Sequence, residues 1–290
     1  MNTYNPNNYN SNQTEQFQGQ EQYSNQYQNN NTYQYNNTYY AGDNQSINPN
    51  SFMDMNSGFE AGAQPVMSGI QNLGAIVAQE VVAKSFLFMF VALLITAFAS
   101  LTTSPMVAFR MVSGSGFFVL FIVELIIVMV ANWAVKKNIP VLAGVMLAAY
   151  SWITGMLLSV IYLAYTGGSI VSVFFITAGL FAFMAIYGLV TGKDLTTVGN
   201  LCFMGLFGII LSGLVNIFLR NSMVDLITCV IGVIIFVGLT AYDAQKIKRL
   251  ASTSDGSNVM ALAMYGALEL YLDFINLFLK LLRLLGRSKD

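Results

Sequence analysis

The chain has 290 residues, of which only 9% are charged and 55% are hydrophobic, and its formal net charge is −1. This composition excludes an ordinary soluble domain and indicates a membrane protein, whose partner we expect to be the lipid bilayer and not nucleic acid. The absence of histidine excludes imidazole-bound zinc, Ser-His and Cys-His nucleophile pairs and the usual proton switch at neutral pH. Any proton chemistry must therefore use carboxylates, Tyr or Lys.

The first 65 residues differ from the rest of the chain. Asn, Gln and Tyr supply 32 of the first 50 positions, and Lys and Arg supply none. Such a segment cannot bury enough apolar surface to offset the entropy lost on ordering. We predict a disordered Asn/Gln/Tyr-rich tail over residues 1–65, which is either a solvated extension or a prion-like segment that associates through its side chains.

Seven apolar stretches follow the tail. Each is about long enough to cross a hydrocarbon core of roughly 30 Å at about 1.5 Å per residue. We predict an all-α membrane protein with a juxtamembrane segment at 66–81, a seven-helix transmembrane domain at 82–286 and a C-terminal tail at 287–290. The seven stretches are residues 82–101, 117–134, 140–164, 170–189, 198–218, 226–242 and 259–281.

Basic residues predict the orientation. With a cytoplasmic N-terminus and seven crossings, seven basic residues lie inside and two outside before the C-terminus is counted, which follows the positive-inside rule. The C-terminal basic cluster would then be exported, so the last stretch either crosses against the rule or dips in and returns. We favour a full crossing. The inside residues are Lys84, Lys136, Lys137, Lys193, Lys246, Lys248 and Arg249, the outside ones Arg110 and Arg220, and the C-terminal cluster is Lys280, Arg283, Arg287 and Lys289.

A polar stripe follows the last apolar stretch. Its six members are spaced by alternating steps of four and three, which places them within about 80° of one another on a helix. Carboxylates at membrane depth need a protein or water-filled interior to face. The stripe consists of Glu269, Asp273, Asn276, Lys280, Arg283 and Arg287.

Four acids lie in the predicted spans: Glu124 in the second, Asp243 at the cytoplasmic end of the sixth, and Glu269 and Asp273 in the seventh. At least one of the last two should hold a proton near neutrality. If Asp243 meets Asp273, the two carboxyls could share one proton when closed and bind a cation when both are charged. The alternative is that nearby lysines neutralise these acids, or that they lie at the membrane interface.

The segments around these aspartates resemble the signature segments of the Bax inhibitor family, in its prokaryotic branch. They read GLTAYDAQKIK at residues 238–248 and ALELYLDFINLFLKLLR at residues 267–283. Shorter similarities include Thr154-Gly155 and Tyr187-Gly188, and the resemblance covers roughly residues 80–286.

This resemblance implies six helices around a central seventh, with Asp243 and Asp273 as an intramembrane pH sensor and cation-binding pair. It also implies a pH-sensitive calcium leak channel, or a calcium/proton exchanger, in a bacterial cell membrane. Calcium prefers about six to eight hard oxygen ligands, which carboxylates, carbonyls and water can supply. Glu124, Glu269 and Asn276 would be secondary polar lining. We expect calcium and protons as partners and no cofactor besides the transported or bound calcium ion.

The chain departs from the family pattern at two places. A basic residue usually follows the second-span glutamate by about ten positions, but here Ala134 and Val135 occupy that stretch and only Lys136 and Lys137 come after. Those two lysines are therefore candidate latches for the aspartate pair. In the third span, Val160 stands where proline is common, which affects only the local kink.

Two other functions remain open. The chain could be a scaffold that regulates another membrane protease or a stress or death pathway, which sequence does not exclude. An aspartate on each of two helices also suits an intramembrane aspartyl protease. Those enzymes carry Gly-x-Gly-Asp at the second acid and a Pro-Ala-Leu segment later. Here Asp273 follows Leu-Tyr-Leu, and no proline occurs after Pro140. We therefore expect a protein that is not an enzyme.

Overall fold

The structure is a computed structural model that describes the backbone of residues 51–112, 116–254 and 256–289 and most side chains from residue 73 onward. Regular secondary structure in these ranges is entirely helical, which confirms the predicted all-α class. The helices of the described ranges are α1 (Ser51–Thr102), α2 (Pro105–Val112), α3 (Gly116–Lys136), α4 (Pro140–Leu158), α5 (Ile161–Ala164), α6 (Gly167–Val190), α7 (Thr196–Leu219), α8 (Ser222–Ser252) and α9 (Val259–Leu285).

Six helical segments in the described part of the chain are long and apolar enough to cross a membrane. The remaining predicted span, residues 117–134, corresponds to the 21-residue helix α3, which is not among the six. The seventh crossing by α3 therefore stays a prediction. The six segments are Leu73–Thr102, Pro140–Ala164, Gly167–Val190, Thr196–Leu219, Ser222–Ser252 and Val259–Leu285.

The N-terminal region is described only in part. The chain divides into two units after Gly58, and the second, Phe59–Asp290, contains the helical bundle. The backbone of α1 is helical from Ser51 onward, through the final part of the predicted tail. Residues 1–50 lie outside the described residues, so their predicted disorder is untested.

Helix α9 is the most buried of the candidate spans. More than half of its most apolar window is buried inside the protein, against a third or less in the other five. It packs against α8, α6, α4 and α3. This burial explains how a helix with a polar stripe can lie within an apolar bundle, because its polar side chains face protein and not lipid.

Glycines permit close approach between the helices. A Cβ atom added at Gly188 of α6 would overlap the Ala241 carbonyl of α8. A Cβ at Gly266 of α9 would likewise overlap the Ser85 hydroxyl of α1. Helix backbones in membranes often approach through small residues, because dispersion contacts hold them together. These contacts fix α9 against α1 and α8 against α6.

The third predicted span is kinked even though it lacks the proline. Helix α4 ends at Leu158 and α5 begins at Ile161, and the turn between them contains short-range bonds such as Val160 N–H to the Leu157 carbonyl, 3.2 Å. The Ser159 hydroxyl donates to the Met156 carbonyl at 2.7 Å. A serine hydroxyl that competes for backbone carbonyls is a known cause of helix bending.

The C-terminal segment returns to the turn between α5 and α6. Tyr165 and Ser288 form an isolated antiparallel bridge, with the Thr166 N–H donating to the Arg287 carbonyl at 3.1 Å. The other end of α6 lies near α8, where the Leu189 carbonyl accepts from Lys248 Nζ. Helix α9 therefore runs the whole length of the bundle and is long enough to cross a membrane, and its full crossing stays a prediction.

Replacing Gly188 with Ala should destabilise the bundle, because the added methyl overlaps the Ala241 carbonyl and backbone must move to admit it. We expect a loss of about 1–3 kcal/mol, as for other overpacked cores. The measurement is the thermal unfolding midpoint of the detergent-solubilised protein.

Gly179→Ala is the matched control in the same helix, because nothing lies within 4 Å of a Cβ added there. It should be neutral or slightly stabilising, since alanine favours helix over glycine by about 0.5–1 kcal/mol. Equal effects of the two substitutions would show that the close approach of α6 and α8 does not matter.

Candidate functional site

The polar stripe of α9 lies along its interface with the antiparallel helix α8. From one end to the other, Glu269 of α9 pairs with Lys246 of α8, and Asp273 meets Asp243. The stem of Lys280 passes over Gly232, and Arg283 forms an ion pair with Asp225. Each polar side chain of the stripe named here thus has a neighbour on α8. The interface is a polar seam between two apolar helices.

Asp243 and Asp273 meet at the centre of this seam. Both are buried, with 2% and 5% of their surface exposed, and their carboxyl groups lie within hydrogen-bonding reach of each other. Asp243 Oδ1 and Asp273 Oδ2 have no hydrogen-bond partner. Two carboxylates cannot donate to each other, so this arrangement is complete only when a proton or a cation lies between them.

Helix α8 extends further than the sequence predicted, and this extension places Asp243 inside the bundle. The predicted span ends at residue 242, whereas α8 continues to Ser252. The extension buries Ala244, Ile247 and Ala251 on one helical face, so apolar packing continues beyond the apolar run. Asp243 therefore lies within the helix, level with the middle of α9.

Lys246 is the cation beside the aspartate pair. Its Nζ lies 3.7 Å from Asp243 Oδ1 and 3.8 Å from Glu269 Oε1. It also lies 5.1 Å from the centre of the Tyr265 ring and 5.8 Å from that of Tyr242. These contacts hold the ammonium group at one end of the pair, where it offsets part of the negative charge.

The candidate latches Lys136 and Lys137 lie elsewhere. Both side chains are exposed at the end of α3, and within the described ranges neither forms an ion pair with Asp243 or Asp273. The structure brings Lys246 to that position instead. The signal was present in the sequence, because Lys246 follows Asp243 by three residues and so shares a helical face with it.

Glu124 belongs to a different polar cluster from the aspartates. It accepts a hydrogen bond from Thr154 Oγ1 at 3.3 Å. The fully buried Tyr271 hydroxyl lies 2.6 Å from Thr96 Oγ1, which in turn donates to the Ser151 carbonyl at 3.0 Å. Glu124 therefore lines the protein interior together with hydroxyl groups of α1, α4 and α9, a network that sequence reasoning did not identify.

This second cluster lies on another side of α9 from the aspartate pair. Tyr271 and Asp273 are two residues apart, which is about 200° around a helix. Tyr271 also packs edge-on against Tyr150 of α4, with ring centres 5.9 Å apart. The other predicted lining residue, Asn276, donates to the Leu272 carbonyl of its own helix at 2.8 Å.

The described side chains contain no group of three or more His, Cys, Asp or Glu that could hold a metal ion. The oxygens available to a divalent cation are those of Asp243 and Asp273, with Glu269 one helical turn away on α9. Both aspartates are hard oxygen donors of the kind calcium prefers. Lys246 would have to give up its contacts with the carboxylates before a calcium ion could take its place.

Comparison with known proteins identifies the family of this chain. The family described as inhibitor of apoptosis-promoting Bax1 matches residues 78–290. The inner membrane protein YbhL of Escherichia coli K12 is 41% identical over 217 residues, covering 73% of this chain and 93% of YbhL. A protein of Borreliella burgdorferi is 39% identical over 222 residues, 74% of this chain and 95% of its own length.

The matched region begins within α1 and includes the α8–α9 seam, and it excludes the Asn/Gln/Tyr-rich tail. The predicted resemblance is thereby confirmed over nearly the range that the sequence indicated. This chain belongs to the Bax inhibitor family.

Proposed function

We propose that this protein lets calcium cross a membrane under the control of pH, either as a leak or in exchange for protons. The single observation that supports this proposal is the buried contact between Asp243 and Asp273, each with one oxygen that lacks a hydrogen-bond partner. In a low-dielectric interior, two adjacent negative charges repel strongly unless a proton or cation separates them. The pair thus links the protonation state to cation occupancy.

In the proposed mechanism, a shared proton holds the seam between α8 and α9 closed. Loss of that proton leaves two charged carboxylates, which either separate or bind a divalent cation with carbonyl and water oxygens. Lys246 favours the charged pair through its position 3.7 Å from Asp243 Oδ1. Glu269 also contacts Lys246, so movement of this ammonium group would expose three carboxylates to an arriving ion.

We further infer that the protein lies in a bacterial cell membrane with its N-terminus in the cytoplasm. The Escherichia coli relative YbhL is named as an inner membrane protein. The end of the bundle that holds Lys193, Lys248 and Arg249 carries most of the basic residues, as the cytoplasmic side of membrane proteins usually does.

Asp243→Asn and Asp273→Asn should each flatten the pH dependence of calcium flux, because an amide cannot release the proton that the pair shares. In wild-type proteoliposomes loaded with a calcium dye, we expect flux to rise with pH through a transition near neutrality, by up to about tenfold per unit for one proton. Each variant should change much less across the same range.

Asp225→Asn is the control for these variants and should keep the wild-type pH dependence of calcium flux. It replaces a carboxyl by an amide in the same helix, but 18 residues from Asp243 and in an ion pair with Arg283. That separation is about 27 Å along the helix axis. Wild-type pH dependence in Asp243→Asn and Asp273→Asn would disprove the proposed sensor.

Lys246→Gln should move the flux transition to higher pH, because the pair loses the positive charge that favours its ionised form. The double substitution of Lys136 and Lys137 by Gln tests the latch predicted from sequence and should leave the transition where it is. The measurement is the midpoint of flux against pH in the same proteoliposomes. A shift in the Lys136/Lys137 variant alone would favour the sequence-based latch.

Because the site contains two aspartates, intramembrane proteolysis is an alternative to calcium transport. Helices α8 and α9 are continuous through Asp243 and Asp273, so neither presents unwound backbone beside the pair to bind an extended substrate. Cleavage of a model transmembrane helix, blocked by an aspartyl-protease inhibitor, would support that alternative. Complete absence of flux in wild-type proteoliposomes would favour the scaffold.

A further inference from the structure

We propose that a groove at the basic end of the bundle binds one anionic phospholipid, with an acyl chain between α1, α6 and α8 and the phosphate at Lys248 and Lys193. Two adjoining cavities form this site. One of about 640 Å³ is mainly apolar, and the other, of about 240 Å³, is polar. They share Leu189, Lys248 and Ser252. This inference is independent of the calcium proposal.

The apolar cavity has the shape and surroundings of an acyl-chain site. Its α1 wall consists of Gly74, Ala75, Ala78, Gln79 and Val82, spaced so that all five lie on one helical face. The small residues of this wall leave the space that forms the groove. The side-chain amide of Gln79 is able to hydrogen-bond a lipid ester. Facing them is Leu189, in the last turn of the apolar helix α6. The groove therefore lies at the boundary between hydrocarbon and headgroup.

Lys248 stands where the two cavities join. Its Nζ donates to the Leu189 carbonyl at 2.7 Å, which fixes the ammonium group at the end of α6. An ammonium group has three donors, so two remain for a phosphate. Lys193 lines the same polar cavity and is exposed. Within the described ranges, neither lysine has an acidic side chain within 4 Å.

The nearby acid does not cancel these charges. Asp194 is paired with Arg249 at 2.8 Å and also accepts from Thr196. The hydrogen bond from the Arg249 guanidinium, with those from Thr196, holds the pKa of Asp194 below its usual range. The carboxylate and guanidinium therefore neutralise each other at all physiological pH values. The cavity keeps the net charge of Lys193 and Lys248.

Charge and position together select the occupant. A polar pocket with two ammonium groups that have no acidic partner in the described ranges attracts an anion, and the adjoining apolar groove at the membrane boundary adds a requirement for a hydrocarbon chain. Basic pockets between transmembrane helices on the cytoplasmic side commonly bind anionic headgroups in this way. Phosphatidylglycerol has both parts.

The test is native mass spectrometry of the full-length protein in detergent with added dioleoylphosphatidylglycerol or dioleoylphosphatidylcholine, which share acyl chains and differ in net charge. We expect about 25-fold tighter binding of phosphatidylglycerol, because the two lysines act on its net charge. The double variant Lys193→Gln/Lys248→Gln should lose about 25-fold of that affinity, at about fivefold per charge, and should bind phosphatidylcholine as before.

The double variant Lys136→Gln/Lys137→Gln is the charge-matched control, because it removes two exposed lysines from α3 that do not line either cavity. An equal loss of phosphatidylglycerol in this control would mean that the attraction is diffuse, and would overturn the site. Wild-type protein that binds neither lipid would also overturn it, since the groove would then take up no phospholipid.

The acyl-chain part has its own pair of variants. Ala75→Trp should fill the groove and weaken binding of phosphatidylglycerol, whereas Ile76→Trp should not, because Ile76 is exposed but outside the groove. Displacement of the lipid by inorganic phosphate in both wild type and Ala75→Trp would show that the site recognises phosphate alone. That result would contradict a phospholipid site.

Discussion

The contact between two buried carboxyl groups is the constraint on which the rest of the bundle depends. Asp243 and Asp273 come from different helices and are almost fully buried, so their charges have little water to stabilise them. The protein meets this cost by surrounding α9 with other helices and by placing Lys246 beside the pair. Breaking either arrangement would leave an uncompensated charge in an apolar interior. The aspartates therefore make both the burial of α9 and its polar neighbours necessary.

Packing of small residues makes that arrangement geometrically possible. Gly266 lets α9 approach Ser85 of α1, and Gly188 lets α6 approach the backbone of α8. Because helices in lipid gain little from hydrophobic burial against one another, such close contacts supply much of their association. The aspartates meet only because α8 continues to Ser252, well past its apolar run. The contact between the aspartates therefore depends on how closely the helix backbones pack.

The two ends of the seam differ in their exposure and in their contacts. Near the pair, Lys246 and Glu269 are partly exposed, so this part of α8–α9 can respond to solvent and ions. At the far end, Arg283 and Asp225 join the same two helices, and the segment after α9 is bonded to the turn before α6. The contacts at the Arg283 end hold α8 and α9 together, whereas the aspartate pair that titrates lies nearer the Lys246 end. The two helices could therefore separate locally at the Lys246 end while the bundle stays folded.

Much of the fold could be predicted from sequence, because helices that cross lipid must satisfy their backbone internally and therefore appear as long apolar runs. The stripe from Glu269 to Arg283 likewise indicated a helix enclosed by protein, and the signature segments indicated which aspartates meet. Positions that depend on side-chain contacts were less accessible. Lys136 and Lys137 are the basic residues nearest to the position that the family pattern predicts, yet Lys246 occupies the site because it shares a helical face with Asp243.

The sequence by itself determined that this protein is helical, lies in a membrane and has a polar helix that must avoid lipid, because these properties follow from composition and periodicity along one chain. Only the tertiary structure decided that Glu124 joins Thr154 and Tyr271 and not the aspartates, and that Lys248 meets the end of α6. Such contacts depend on the rotation and register of helices relative to one another, which no single helix specifies.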